Sequence, residues 1–203
     1  MDVIAVPAFS VTERTQIQGK KFWPRAGAYA VDMLCLYGVT YLISMGVGLI
    51  LGRFLYMIAV YMGRELTFLH NTTIGNYIVG FIQTIIYFAV FEWLYGRTLG
   101  KVIFGYRVVS VDGGLISIKQ AFIRSVFRLI DGLFFGLVAY SAMKPPQYQR
   151  MGDQKAGTLV VAANDSAVKE TSAWWKFFAA LVVYLIIDSL ILTLSVLFFI
   201  RFT

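Results

Sequence analysis

Three long apolar stretches dominate the pattern of hydrophobic and polar positions along the chain. They cover residues 28–51, 74–95 and 177–200, and more polar segments separate them. A helix rises about 1.5 Å per residue, so about 20 residues cross a hydrocarbon core about 30 Å thick. The pattern therefore predicts an all-α integral membrane protein with three clear transmembrane helices. A shorter apolar piece at 54–62 predicts a separate interfacial helix after the first span.

A fourth apolar segment, residues 117–143, is shorter and more polar. Arg124 and Arg128 share one helical face and Asp131 follows them, which predicts a re-entrant or interfacial helix. A complete fourth crossing is the alternative. Basic residues accumulate on the cytoplasmic side of membrane proteins, and this rule favours the first arrangement. It leaves only three of the 18 Lys and Arg residues outside, namely Arg53, Arg64 and Arg201.

Two β-prone stretches flank the ambiguous segment. Residues 102–111 and 157–163 are rich in valine and other residues that favour strands. An open sheet edge cannot lie in lipid, so paired strands must share one side of the membrane. We therefore expect two short cytoplasmic β-strands at these positions.

The composition supports a membrane protein and narrows the chemistry. The chain has 203 residues, of which 59% are hydrophobic and 14% are charged, whereas a soluble domain carries about 25% charged residues. The net charge of +7 follows from basic residues that set topology, so no nucleic-acid partner is expected. The single cysteine excludes an internal disulfide. With no HExxH motif and no Cys/His cluster, we expect no metal, no cofactor and no enzymatic activity.

Asp32 lies inside the first apolar stretch, where a charge is costly without a partner. Arg25 precedes it by two helical turns, about 10 Å along the axis, which is too far for a direct pair. Each side chain therefore needs a partner on another segment. We expect an interhelical network in which Asp32 meets an arginine and Arg25 meets an aspartate. The candidates are Arg128 or Arg124 for Asp32, and Asp131 or Asp153 for Arg25.

Other charged residues lie in or beside the apolar stretches. Four carboxylates are candidate ion-binding groups for that reason: Asp32, Glu92, Asp131 and Asp188. The sequence GRTLGK at 96–101 lacks the spacing of a phosphate-binding P-loop. We interpret it as a juxtamembrane basic turn, with Arg97 and Lys101 suited to contact with anionic lipid.

Four motifs in order resemble the RDD family of membrane proteins: PRAGAYAVD, GRTLGKVIFGYRVVSVDGG, RSVFRLID and RMGDQKAGTLVV. The family is named for one arginine and two aspartates. The resemblance identifies Arg25 and Asp32 as the first two, and it leaves Asp131 and Asp153 as candidates for the third. It implies an N-terminal arm at 1–19, an RDD-like membrane domain at 20–163, and a C-terminal linker with an extra transmembrane helix at 164–203.

The resemblance implies a suspected role in transport, with cation/proton exchange proposed for some members, while others resemble accessory modules. We expect a transport protein that uses intramembrane carboxylates. The alternative is a non-catalytic membrane scaffold or assembly partner with a structural Arg/Asp network. Three or four spans leave little room for a lumen, so transport requires a homo-oligomer or another membrane protein. The other expected partners are the lipid bilayer and a proton or monovalent cation. The expected location is the cell (inner) membrane, in a multi-pass topology with a cytoplasmic N-terminus.

Overall fold

A computed structural model describes residues 18–61, 73–165 and 173–201. Within these ranges the chain is mostly helical and carries one small sheet. The elements, in order, are α1 (Phe22–Tyr61), α2 (Thr73–Leu94), α3 (Leu99–Ile103), β1 (Tyr106–Ser110), α4 (Ile118–Ala142), α5 (Met151–Ala156), β2 (Thr158–Ala162) and α6 (Trp175–Arg201).

One helix within the described ranges is long and apolar enough throughout to cross a membrane. It is α2, over Tyr77–Leu94, and it corresponds to the span predicted at 74–95. The segments 28–51 and 177–200 each lie within one continuous helix, α1 and α6. Their crossing of the bilayer remains a prediction.

Helix α1 is longer than expected. Its 40 residues extend for about 60 Å at 1.5 Å per residue. The separate interfacial helix predicted at 54–62 is wrong, because residues 54–61 continue α1 without a break. Gly52 and Arg53 separate the apolar stretch 28–51 from the shorter apolar piece. Glycine costs a helix only about 1 kcal/mol and arginine favours helices, so neither residue ends one.

The ambiguous segment 117–143 forms one helix, α4, of 25 residues. Ser117 begins it with a capping box: its hydroxyl accepts from the Gln120 N–H, and its own N–H donates to Gln120 Oε1 at 2.9 Å. Left-handed φ angles at Phe134 (+50°) and Gly136 (+84°) interrupt the regular geometry of its second half. Helix α4 packs against α2 and α5.

The two strands pair antiparallel, from Tyr106 opposite Ala162 to Ser110 opposite Thr158. The predicted strand at 102–111 is too long, because its first residues belong to α3. Paired strands must lie on one side of a bilayer, and the course of segment 117–143 relative to the bilayer stays a prediction. The amide of Gln120 also donates to the Ala156 carbonyl at 3.0 Å. The start of α4 and the end of α5 therefore lie next to each other, so the segment between the two strands leaves and rejoins the sheet at neighbouring points.

Apolar side chains from α1, α2 and α6 form the main core of the described helices. Leu36, Phe88, Phe91, Ala180 and Tyr184 are buried together there. A smaller cluster lies beneath the sheet and includes Val108 and Val160. The charged site described next lies where α1, α2 and α4 meet the small elements α3 and α5.

Candidate functional site

Buried charged side chains from α1, α2, α3, α4 and α5 converge on one region. The charge network, as we name it here, consists of Arg25, Glu92, Lys101, Arg124, Arg128, Asp131, Arg150 and Asp153. Five members are cationic and three are anionic, and Asp32 lies beside them as a fourth acid. Charges removed from water are tolerated only when partners surround them. The local pairings therefore determine what each residue can do.

Glu92, in the last turn of α2, receives three cations and is fully buried. Its Oε1 accepts hydrogen bonds from Lys101 Nζ at 2.8 Å and from Arg128 Nη2 at 2.9 Å. Its Oε2 accepts from Arg124 Nε at 2.9 Å. Arg128 also lies over the Phe88 ring, with 3.4 Å between Cζ and the ring centroid. Glu92 thereby ties α2 to both α3 and α4.

Asp153 is a second acid surrounded by cations, and it is also fully buried. Arg25 donates to its Oδ2, and Arg124 Nη1 donates to its Oδ1 at 2.5 Å. The Arg150 guanidinium lies 3.6 Å away. The structure thus contains the expected pair between Arg25 and an aspartate, and Arg124 bridges Asp153 to Glu92.

The position of Asp153 comes from the local fold of α5. Asp153 is the third residue of this short helix, and its Oδ2 accepts from the backbone N–H of Arg150 at 3.2 Å. Gly157 ends the helix with a left-handed φ of +63°, a conformation that suits glycine. Burial would raise the pKa of Asp153, but Arg124, Arg25 and Arg150 hold that pKa well below its usual value.

Asp32 does not meet Arg124 or Arg128, so that predicted pairing is wrong. Its carboxylate accepts instead from three neutral donors: Tyr87 Oη at 3.1 Å, Thr98 Oγ1 at 2.5 Å and the Gly100 N–H at 2.7 Å. Hydrogen bonds to the ionised form stabilise a carboxylate as an opposite charge does. Asp32 therefore joins α1 to α2, through Tyr87, and to the start of α3, through Thr98 and Gly100.

The backbones of α1 and α3 touch at Gly100. A Cβ atom at this position would lie 2.0 Å from the Ala28 carbonyl oxygen. Only glycine permits this approach, which also delivers the Gly100 N–H to Asp32. The glycine-rich sequence 96–101 is thus a docking surface for α1 within the chain.

Lys101 lies inward, which corrects its predicted place in a lipid-facing basic turn. It is only 8% exposed, and its ammonium donates to Glu92. Burial lowers the pKa of Lys101 to about 8, although Glu92 favours the charged form. Arg97, the other predicted member of the turn, is partly buried and lies over the Tyr95 ring at 5.9 Å.

Asp131 differs from the other acids because no cation of the described ranges lies within hydrogen-bonding distance of its carboxylate. It is 2% exposed. Arg150 Nε lies 3.8 Å away, and Gly152 packs against Oδ2. The Gly152 backbone N–H faces the carboxylate, but within the described part of the chain neither carboxylate oxygen receives a hydrogen bond of ordinary geometry.

Asp188, the remaining candidate, lies apart from the network on α6. It is 6% exposed and accepts from the Tyr184 hydroxyl at 3.3 Å. Tyr184 belongs to the core formed by α1, α2 and α6. The four predicted ion-binding carboxylates therefore lie in four different environments. Among the described residues, no group of three or more His, Cys, Asp or Glu residues is arranged to hold a metal ion.

Sequence reasoning missed the residues that satisfy Asp32, and it missed the central role of Glu92. Tyr87, Thr98 and Gly100 carry no charge, so a search for opposite charges passes over them. One usable signal was present: Thr98 and Gly100 stand in the glycine-rich turn of the second motif. Arg150 was also missed, although it is the first residue of the RMGDQKAGTLVV motif.

We expect acid to unfold the protein partly through Asp153. An unfolded aspartate takes up its proton near pH 4, whereas the folded protein does so only at lower pH because the pKa of Asp153 is depressed. The Asp153 ion pairs therefore stabilise the fold fully above about pH 4, and this contribution is lost as the pH falls through the folded pKa. Thermal unfolding in detergent between about pH 5 and pH 3 measures the effect. Asp153→Asn should be less stable at pH 5 and less pH-dependent, and an unchanged slope would contradict the assignment.

Comparison with known families supports the interpretation of the motifs. A family model described as RDD family matches residues 20–157, which is more than half of the chain and includes the whole charge network. Comparison with curated proteins and with solved structures found no match. The matched region carries Arg25 and Asp32, and it carries both candidates for the second aspartate, Asp131 and Asp153. The chain therefore belongs to the RDD family of membrane proteins.

Proposed function

We propose that this chain is a membrane transport protein that exchanges a proton or a monovalent cation at Asp131. The observation that carries the proposal is the unsatisfied Asp131 carboxylate, buried on α4 with Arg150 Nε 3.8 Å away. A buried acid held only by such weak contacts gains strongly from a proton or a cation. Ionisable residues at such positions commonly mark ion pathways.

The other acids of the site are better suited to structure than to exchange. Glu92 and Asp153 each hold several cations, and Asp32 accepts three hydrogen bonds. Protonation of Glu92 or Asp153 would leave buried cations without a full charge partner, which is costly. Asp131 can change its charge state with the smallest disturbance to the charge network.

The proposal includes a second subunit or another membrane protein. The cavity beside the charge network has a volume of about 20 Å³, which is enough for about one water molecule. An ion path needs more room, and a homo-oligomer interface can supply it. We further propose a multi-pass location in the cell membrane with a cytoplasmic N-terminus, and no enzymatic role.

Flux in proteoliposomes tests the proposal. A pH-sensitive dye inside the vesicles reports proton movement when Na⁺ or K⁺ is added outside. The wild-type protein should give cation-dependent flux, and Asp131→Asn should lower it by about 100-fold, the smaller contribution usual for a proton-transfer group. Asp112→Asn is the matched control, because it makes the same chemical change at an exposed turn. Equal flux in wild type and Asp131→Asn, with equal protein incorporation, would remove Asp131 from the mechanism.

A structural role is the second candidate, and a specific observation favours it. The charge network joins five helices, and most of its acids are satisfied, as expected of an architectural lock. In that case the protein is a non-catalytic scaffold or assembly partner in a membrane complex. Wild-type protein that gives no flux with either cation, and that co-purifies in stoichiometric amount with another membrane protein, would favour this role. Asp188→Asn, measured in parallel, would reveal whether the exchanging carboxylate lies on α6 instead.

A further inference from the structure

A small cleft opens beside the charge network and is strongly basic. Four cationic side chains line it: Arg25, Lys101, Arg128 and Arg150. The one acid that lines it is Asp32, whose carboxylate already accepts three hydrogen bonds. We call this region the basic cleft. Its lining favours an anion over a cation.

The summed charge of the charge network and Asp32 also favours the binding of an anion. The charge network has five cations and three acids, and Asp32 adds a fourth acid. The described residues of the site thus carry a surplus of one positive charge. A buried excess charge is unfavourable unless a counter-ion is bound. A single anionic group in the basic cleft would complete the balance.

Within the described ranges, two guanidinium groups that line the basic cleft each have one N–H without a hydrogen bond, and the Nε of Arg150 lies 3.8 Å from the acid Asp131. Arg128 Nε and Arg150 Nε are buried and have no hydrogen-bond partner among the described residues. Arg128 is 8% exposed, so bulk water does not satisfy its N–H. Buried donors in native proteins nearly always have an acceptor. An anionic oxygen is the acceptor that guanidinium groups bind best.

The size of the basic cleft and the side chains around its opening restrict which anions can bind there. Its volume of about 20 Å³ admits one oxygen-sized atom, so the rest of the ligand must stay at the mouth. Exposed apolar side chains stand around that mouth. Tyr29 lines the cleft, Phe104 packs beside Gly27 of α1, and both are 39% exposed.

The segment that leads into α1 passes next to the cleft and is basic and aromatic. The Lys20 ammonium lies 5.8 Å from the centroid of the Tyr106 ring, which lines the cleft. Trp23 is 75% exposed. Lysine and tryptophan together are typical of the headgroup layer of a membrane. A soluble anion needs no apolar rim, whereas a lipid does.

We propose that the basic cleft binds the phosphate of an anionic phospholipid, with one phosphate oxygen inserted between Arg128 and Arg150. The apolar rim, including Tyr29 and Phe104, contacts the upper part of the acyl chains. The proposal does not depend on transport. It assigns lipid binding to Arg128 and Arg150, whereas the proposed exchange takes place at Asp131.

Thermal unfolding in mixed micelles tests the proposal. Purified full-length protein is titrated with phosphatidylglycerol in phosphatidylcholine micelles, and separately with inorganic phosphate at matched ionic strength. Phosphatidylglycerol should raise the unfolding temperature saturably, because a ligand that binds only the folded state stabilises it. Inorganic phosphate should give a much smaller shift. An equal shift with inorganic phosphate would overturn the lipid as ligand, and no shift with either would overturn the anion site.

Variants locate the binding to the basic cleft. Arg150→Gln should weaken phosphatidylglycerol binding by about tenfold, the loss expected for one charge-assisted hydrogen bond. Lys155→Gln is the matched control, since it removes the same charge from an exposed position on α5. Arg150→Lys keeps the charge but removes the Nε donor, and it should also weaken binding. Equal binding by wild type and Arg150→Gln would overturn the proposal. If Arg150→Gln does not fold, Arg150→Lys, which keeps the charge, provides the test: its undiminished retention of phosphatidylglycerol, read by native mass spectrometry, would overturn the lipid site.

Discussion

Glu92→Gln is expected to lower the free energy of unfolding by about 3–5 kcal/mol, the usual cost of breaking a buried ion pair from one side. Glu92 is fully buried and its two oxygens hold Lys101, Arg124 and Arg128. A neutral amide leaves three buried cations with one negative charge fewer among them. Its NH₂ group also faces donors that it cannot satisfy. Thermal or denaturant unfolding of the purified protein in one detergent measures the loss.

Two further variants make the Glu92 experiment specific. Asp112→Asn performs the same acid-to-amide change at an exposed turn, where surface substitutions change stability by about 0.5 kcal/mol or less. Glu92→Asp keeps the charge but shortens its reach, so its loss should be intermediate. A Glu92→Gln protein as stable as Asp112→Asn would show that Glu92 does not hold the charge network together.

Gly100→Ala should have the second large effect, because α1 and α3 cannot keep their present distance. The new methyl group would lie 2.0 Å from the Ala28 carbonyl oxygen. The two helices must then separate, and the Gly100 N–H leaves Asp32. Overpacking typically costs about 1–3 kcal/mol, and a buried acceptor that loses its donor adds about 1–3 kcal/mol. The unfolding temperature of the variant measures the sum.

Gly132→Ala is the matched control for that substitution. Gly132 lies in α4, and an added Cβ there meets no atom within 4 Å among the described residues. Replacing an open helical glycine by alanine stabilises a helix by about 0.5–1 kcal/mol. The two variants should therefore shift stability in opposite directions. Equal shifts would mean that the contact between Gly100 and Ala28 is not tight in solution.

The ion pair of Arg25 was the part of the site that could be predicted from the sequence. Arg25 and Asp153 lie in separate family motifs, and burial requires each to find an opposite charge. Their pairing was one of two expected choices. The paired strands could also be expected, because two valine-rich stretches on one side of the membrane have few other ways to satisfy their backbone.

The hydrogen-bond donors of Asp32 and the full length of α1 could not be predicted from the sequence. Asp32 is satisfied by neutral groups of Tyr87, Thr98 and Gly100, and their approach depends on tertiary packing, for which the glycine-rich turn is the one local signal. The continuity of α1 across Gly52 has a similar cause, since context overrides a weak local preference. Glu92 stands at the end of an apolar stretch beside Trp93. It therefore resembled a boundary residue more than the centre of an ion-pair cluster.

The place of Glu92 in the chain has a consequence for how the protein is made. A ribosome releases Glu92 before its partners, because Arg128 follows it by 36 residues. At about 5–20 residues per second, this interval lasts about 2–7 seconds. During that time the carboxylate would enter lipid without two of its three cations, which is unfavourable. Helix α2 is therefore expected to wait at the insertion machinery until α4 has emerged, so that the helices enter the membrane as a group.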